Sequence, residues 1–313
     1  MQPQIWMTGD AVVDLIPDGQ YHYQKCPGGA PANVAVAVSR LGVSTGFFGR
    51  VGNDPLGHFI KQVLIDEQVD TQHLTLDAER RTSTVLVDLD DQGERTFTFM
   101  VKPSADQFTM PEGVPAFQAG QWLHTCSIAL ANEPTRSTTL QAMKAMKDVG
   151  GYLSFDPNLR PEVWACEHDI LPVVREALAL ADVVKFSAEE LCYLSGMTSI
   201  EVAMDWLHTH YQLPVTVVTQ GKAGALVQLV DPATAQPHRF NVPGMSVAVV
   251  DTTGAGDAFV GGMLAGLIGK DQWLSQACIE QAIRQANGCG ALAVTAKGAM
   301  TALPDAKQLA ALL

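Results

Sequence analysis

Between Asp251 and Phe259 the chain reads Asp-Thr-Thr-Gly-Ala-Gly-Asp-Ala-Phe. Two glycines flank one alanine, and a carboxylate, Asp257, follows at once. The apolar stretch Ser246 to Val250 before this run suggests a strand, and the small-residue segment Ala255 to Ile268 suggests a helix. Glycines at a strand-to-helix corner leave backbone N–H groups bare, and a helix N-terminus favours negative charge. Gly254, Ala255 and Gly256 would then form an anion hole, with Asp257 beside it rather than inside the helix. An acid placed there is a poor phosphate ligand. It is a suitable acceptor for the proton of a hydroxyl that attacks a phosphoryl group. The plainer reading is an ordinary first-turn acid at a glycine corner. Two commoner glycine motifs do not fit. The dinucleotide fingerprint needs a glycine where Phe259 stands. A Walker A loop needs Gly-Lys-Ser/Thr, but Gly269-Lys270 is followed by Asp271 and Gly221-Lys222 by Ala223.

The rest of the chain supplies a frame for such a corner. Ile5 to Met7 is a short apolar strand, and residues 11–25 read as irregular or extended. Gly28-Gly29-Ala30-Pro31 opens a helix over Ala32 to Leu41 that Gly42 ends. A strand over Thr45 to Gly49 leads through the turn Gly52-Asn53-Asp54-Pro55 to a helix over Leu56 to Asp66. Thr84 to Leu89 and Arg95 to Phe99 are β-rich, with Asp91-Gln92-Gly93 as a hairpin turn between them. From Trp122 onward strands and helices alternate. Strands are expected at Trp122 to His124, Tyr152 to Asp156, Val183 to Phe186, Val215 to Thr219 and Ala225 to Val230. The pattern predicts an α/β fold with a mostly parallel sheet covered on both faces. With no repeat, low-complexity tract or linker, residues 1–313 read as one domain.

Composition narrows the function. The chain has 313 residues, is 47% hydrophobic and carries a formal charge of −13. That apolar fraction supports a full core and argues against disorder. Nucleic-acid binding would have to overcome the acidic field, and no Lys/Arg run offers a local exception. Cys26, Cys126, Cys166, Cys192, Cys278 and Cys289 show no metal-ligand spacing and are too dispersed for a disulfide scaffold. They read as reduced thiols of a cytoplasmic protein. The start lacks a basic signal-peptide region, and the apolar run Ala258 to Gly269 is too short to span a bilayer.

Two distant segments then agree. Gly28-Gly29-Ala30-Pro31-Ala32-Asn33, with Gly49-Arg50-Val51-Gly52-Asn53-Asp54-Pro55-Leu56-Gly57, resembles the N-terminal signature of the PfkB/ribokinase-type carbohydrate kinases. Asp251 to Phe259 resembles that family's C-terminal signature. Gly9-Asp10-Ala11-Val12-Val13-Asp14-Leu15-Ile16-Pro17 and Phe155-Asp156-Pro157-Asn158-Leu159-Arg160 are similar to its fructokinase branch, which includes close relatives acting on aminoimidazole riboside. The resemblance covers essentially the whole chain. It implies a ribokinase-like three-layer α/β/α fold with a small β lid from about residues 11–25 and 81–101.

The resemblance also implies residue roles. Asp14, Gly28, Gly29 and Asn33 would bind sugar hydroxyls, with Asp257 as base. Arg160, just past a strand end, would bind sugar oxygens or steady the phosphoryl charge; a surface salt bridge is its ordinary alternative. Phe97 and Phe99, alternate residues of one strand, would close over the sugar or meet a second copy's lid. Lys185, Ser187 and Glu190 are assigned to the nucleotide, Glu190 reaching hydrated magnesium; many relatives carry asparagine where Ser187 stands. Thr219, Gly221 and Lys222 resemble the phosphate-side nucleotide loop, and Asn287 lies in the helix that flanks adenine. Asp251, Thr253 and Gly298 suit a potassium site, although Asp251 could equally cap the structure.

The implied reaction is ATP-dependent phosphorylation of a sugar, with Mg²⁺ and an activating K⁺. Fructose is the expected acceptor, and aminoimidazole riboside or another sugar or nucleoside is the alternative. A non-catalytic sugar-binding regulator on the same fold is a reading of another class, and the presence of Asp257, Arg160 and the glycine turn weighs against it. A homodimer joined through the exposed lid strands is the expected assembly.

Overall fold

The structure is a computed structural model that describes residues 2–89 and 95–313; for Leu89, Arg95 and Phe97 it describes the backbone alone. The expected turn at Asp91-Gln92-Gly93 lies outside the described residues. The chain enters through β1 (Ile5–Thr8) and makes a hairpin of β2 (Val12–Asp18) and β3 (His22–Gly28). Next come α1 (Ala30–Arg40), β4 (Thr45–Gly52), α2 (Pro55–Asp66) and β5 (Leu74–Asp77), and then the pair β6 (Thr84–Leu89) and β7 (Arg95–Phe99). The alternating part runs through β8 (Trp122–Cys126), α3 (Thr135–Asp148), β9 (Tyr152–Asp156), α4 (Ile170–Leu178), β10 (Val183–Ser187), α5 (Ala188–Ser195), α6 (Ile200–Tyr211) and β11 (Val215–Thr219). The hairpin β12 (Gly224–Val230) and β13 (Pro237–Pro243) precedes α7 (Ala255–Leu267), α8 (Gln276–Ala293) and α9 (Ala306–Leu312).

A nine-stranded sheet in the order β13-β12-β11-β10-β9-β8-β1-β4-β5 forms the centre. It is parallel from β11 to β5 and ends in the antiparallel pair β12 and β13. Two hydrophobic clusters cover its faces. One gathers Ile5, Met7, Val36, Phe47, Val217 and Leu264, the other Phe48, Leu123, Met143, Phe155, Phe186 and Val218. Alternate residues of one strand, such as Phe47 and Phe48 of β4, thus enter opposite layers, as strand geometry requires. A smaller sheet, β3-β2-β6-β7, stands apart from the main one.

Local chemistry explains most boundaries. Asp54 caps α2 by accepting from the N–H groups of Leu56 and Gly57, and Pro55 occupies the first helical position. Ser187 and Glu190 form a reciprocal capping box on α5.

Three expectations need correction. Ser246 to Val250 forms no strand; it runs as irregular chain with Val249 and Val250 exposed. The edge position it would have needed is taken by β13, whose terminal prolines are tolerated because only one of its sides is paired. Residues 11–25 are largely regular, because β2 and β3 pair along their whole length. Asp257 lies within the first turn of α7, which begins at Ala255.

Candidate active site

The parallel strands end at a cavity of about 830 Å³, within the size range of small-ligand sites. Asp14 reaches it from β2, Asn33 from α1, Phe99 from β7, Asp156 and Arg160 from the end of β9 and the chain beyond, and Lys185, Ser187 and Glu190 from β10 and α5. Gly29 lines it at the start of α1 with φ 99°, and a β-carbon there would lie 2.4 Å from the Asp10 carbonyl oxygen. Asp251, Thr253, Gly254, Gly256 and Asp257 complete the wall.

A second groove, about 440 Å³, is lined by Thr219, Gly221, Lys222, Ala255 and Asn287, with Met245, Val247, Phe259 and Val294 as apolar walls. Val249, Thr252 and Gly256 border both spaces, so the N-terminus of α7 stands where they meet. Gly254 caps that helix in the left-handed region at φ 75°. A β-carbon there would fall 2.8 Å from Ala299 Cα, so glycine serves both conformation and space. The displaced Ser246–Val250 segment thus walls the groove instead of joining the sheet.

Asp257 is half-buried, and Asn33 Nδ2 donates to its Oδ2 at 2.7 Å. Burial pushes its pKa up to about 6. The Asn33 bond opposes the rise, the Asp156 charge adds to it, and Lys185 and Arg160 oppose it. Asn33 Oδ1 is buried with no hydrogen-bond partner among the described residues.

Lys185 Nζ lies 3.0 Å from Asp156 Oδ2, and a β-carbon on Gly256 would lie 3.4 Å from the same ammonium. Burial disfavours that charge, but Asp156 and then Glu190 outweigh it and hold the Lys185 pKa above its usual value. Arg160 donates from Nη1 to the Leu159 carbonyl.

Glu190 accepts from Leu159 N at 2.8 Å and, through its other oxygen, from Ser187 N at 2.9 Å. Asn287 Nδ2 donates to the carbonyls of Val242 and Pro243, which ties α8 to β13 beside the groove. Asp251 Oδ1 accepts from Thr253 N and Oγ1, and its Oδ2 from Gly298 N at 2.8 Å.

The structure therefore gathers nearly every residue singled out from the sequence. Gly28 and Gly298 sit behind the wall, touching Asp14 and Asp251 respectively. Phe97 is on β7 opposite Val87, and its side chain lies outside the described residues. Sequence reasoning missed Asp10 and Lys297 as lining residues, and it quoted Asp156 without giving it a role. Asp10 follows the C-terminal end of β1, where open α/β sheets place ligands, so its position was a usable signal. Burial, reinforced by the nearby charge of Asp106, lifts its pKa to about 7.

The arrangement holds a partly desolvated carboxylate, a helix N-terminus and cationic groups at the junction of two clefts. This is the equipment for moving a charged group between two bound molecules while a hydroxyl loses its proton.

The profile of the pfkB family carbohydrate kinases matches residues 4–306. A fructokinase of Klebsiella pneumoniae is 54% identical over 304 residues, 97% of each chain. A crystal structure of a fructokinase double mutant from Vibrio cholerae O395, in its fructose-, ADP- and potassium-bound form, superposes with a TM-score of 0.93. It is 59% identical and covers 99% of this chain and 97% of its own. The aminoimidazole riboside kinase of Salmonella enterica, complexed with aminoimidazole riboside and an ATP analogue, gives a TM-score of 0.90 at 42% identity, with 98% of each chain covered. The fold is accordingly the ribokinase-like α/β fold expected from the sequence. The chain belongs to the pfkB family of carbohydrate kinases.

Proposed function

We propose that this enzyme phosphorylates fructose with ATP, giving fructose 6-phosphate and ADP. The observation that carries this reading is the placement of Asp257 on the first turn of α7, fixed by Asn33, where the two clefts meet. The larger cavity takes the sugar, with Asp14, Gly29, Asn33 and Arg160 supplying acceptors and donors. The groove takes the nucleotide: its apolar walls suit a planar base, and Thr219, Gly221 and Lys222 stand at its polar end.

Asp257 accepts the proton of the attacking hydroxyl. The N–H groups of Gly254 and Gly256 face the developing charge, whereas that of Ala255 donates to the Thr252 carbonyl at 3.2 Å, and Lys185 with Arg160 offsets more of it. The smaller sheet, acting as a lid with Phe99 on its inner side, excludes water.

Glu190 fits a role toward hydrated Mg²⁺, an ion that keeps its waters and binds few protein groups directly. Its carboxylate lines the cavity while its two backbone bonds hold it in place. Asp251, with backbone oxygens of Thr253 and Gly298, would hold K⁺; the bonds that tie the N–H groups of Thr253 and Gly298 to the Asp251 carboxylate bring the three residues together and support that reading. When bound, the two ions neutralise phosphate charge. A homodimer through the lid strands and a cytoplasmic setting complete the proposal; no helix among the described residues is long and apolar enough to cross a membrane.

Aminoimidazole riboside is the second acceptor to test, given the likeness to a kinase that binds it. The experiment is ATP-dependent turnover of fructose, ribose, glucose, 2-keto-3-deoxygluconate and aminoimidazole riboside, with and without potassium. A strong preference for fructose is expected. Preference for the riboside would replace the substrate, and turnover of none by folded protein would overturn the proposal.

A further inference from the structure

Beside the sugar cavity lies a much smaller one of about 20 Å³, room for a single oxygen. The two share a wall, because Asp10, Val12, Phe99 and Ile128 border both. Asp257 borders the larger space and Asp106 the smaller. Asp10, on the shared wall, thus stands between them, and it feels the charges of both.

Asp10 and Asp106 are each more than nine-tenths buried. Asp10 Oδ1 accepts from Cys126 Sγ at 3.7 Å. Asp106 Oδ1 is buried and has no hydrogen-bond partner among the described residues. Ser83 and Ser104 also border the small space, and the Ser104 side chain hydrogen-bonds the Asp106 carboxyl group without satisfying Oδ1. Three further donors there are engaged elsewhere. Lys102 Nζ donates to the Glu162 carbonyl, Asn132 Nδ2 to the Val163 carbonyl, and Gln107 Nε2 to Ser104 Oγ. A buried acceptor kept without a partner is a standing cost that native structures rarely carry without a reason. What Asp106 Oδ1 lacks among the described residues is one small donor, and a hydroxyl fits both the size and the chemistry of the space.

We propose that Asp10 and Asp106 form a specificity subsite that receives a hydroxyl of the acceptor sugar at the end of the ring remote from Asp257. The inference rests on the fructose-kinase reading and deepens it. With the 6-hydroxyl at Asp257, the group entering the subsite is the 1-hydroxyl of fructose. A ribosyl heterocycle carries a bulky ring system at that end in place of a hydroxymethyl group, too large for a space of about 20 Å³, so the subsite favours the free ketose.

The test compares kcat/KM for fructose and 1-deoxyfructose in the wild type and in Asp106→Ala, with thermal unfolding as the folding control. The wild type should prefer fructose by roughly tenfold or more, the scale expected when a buried acceptor loses its partner. In Asp106→Ala the preference should collapse, because turnover falls more for fructose than for the deoxy sugar. An equal ratio in both proteins, or a wild type indifferent to the 1-hydroxyl, overturns the subsite. Should Asp106→Ala fail to fold, Asp106→Asn keeps the shape, replaces one acceptor oxygen and should also narrow the ratio. If the wild type turns over neither sugar but phosphorylates the riboside, the fructose reading fails and the subsite falls with it. Fructose turnover with an unchanged ratio removes the subsite alone.

Discussion

Asn33 is expected to set the pH at which the enzyme switches on. Asp257 must be ionised to accept a proton, and its pKa of about 6 places full activity above that value and its loss as pH falls through it. The 2.7 Å bond from Asn33 Nδ2 stabilises the charged form. A charge-assisted bond of this kind contributes on the order of 1.5–3 kcal/mol, which corresponds to about one to two pH units. Asn33→Ala should therefore move the acid limb of kcat/KM from about 6 to about 7–8. The ionised fraction at pH 7 then falls from about 90% to between about 10% and 50%, a two- to tenfold loss from titration alone. Most of that loss should return near pH 9. The assay is coupled ADP production across pH 5–9, with Asp257→Asn as the reference that lacks the limb. A pH-independent loss on top of the shift reports the sugar contact of Asn33, and an unmoved limb would refute the reasoning. In that case Asn33 does not tune the base.

Other outcomes follow from the same geometry. Asp257→Asn should cut turnover by roughly 10²-fold or more with modest change in sugar affinity, and near-normal turnover would remove it from the base role. Asp10, whose folded pKa of about 7 exceeds the ordinary 3.8, contributes stability that is complete below about pH 4 and lost as pH rises through 7. Asp10→Asn should thus raise Tm at pH 8 and not at pH 4, measured by calorimetry. Lys185→Met leaves the Asp156 carboxylate buried without its cation and should destabilise by about 3–5 kcal/mol in urea. A further Asp156→Leu change should recover much of that. A β-carbon on Gly28 would lie 2.5 Å from Asp14 Oδ2, so Gly28→Ala should displace that carboxylate and raise KM for the sugar by roughly tenfold. Its Tm should change little, and an unaltered KM would exclude Asp14 from sugar binding.

Much of the frame follows from local rules. The period of the apolar residues, the proline at the start of α2, the glycine that begins α7 and the serine that caps α5 act over a few residues, so they can be read without a fold. The stretch Ser246–Val250 shows where that ends. An apolar run becomes a strand only if a sheet edge is open to it, and here β13 already holds the edge. The run became a wall of the nucleotide groove instead.

For the site, the order of residues sets which groups are available: the glycine turn, Asp257, Asn33, Arg160 and the acidic residue after β1. What each of them does depends on how the fold assembles them. Asn33 and Asp257 are separated by 224 positions, and no pattern within either segment announces that one donates to the other. The raised pKa values of Asp257 and Asp10 arise from burial and from charges on other elements, and both depend on the assembled fold. The Asp106 oxygen that has no partner among the described residues is of the same kind, because a hydrogen bond left unmade exists only once the neighbours have taken their places.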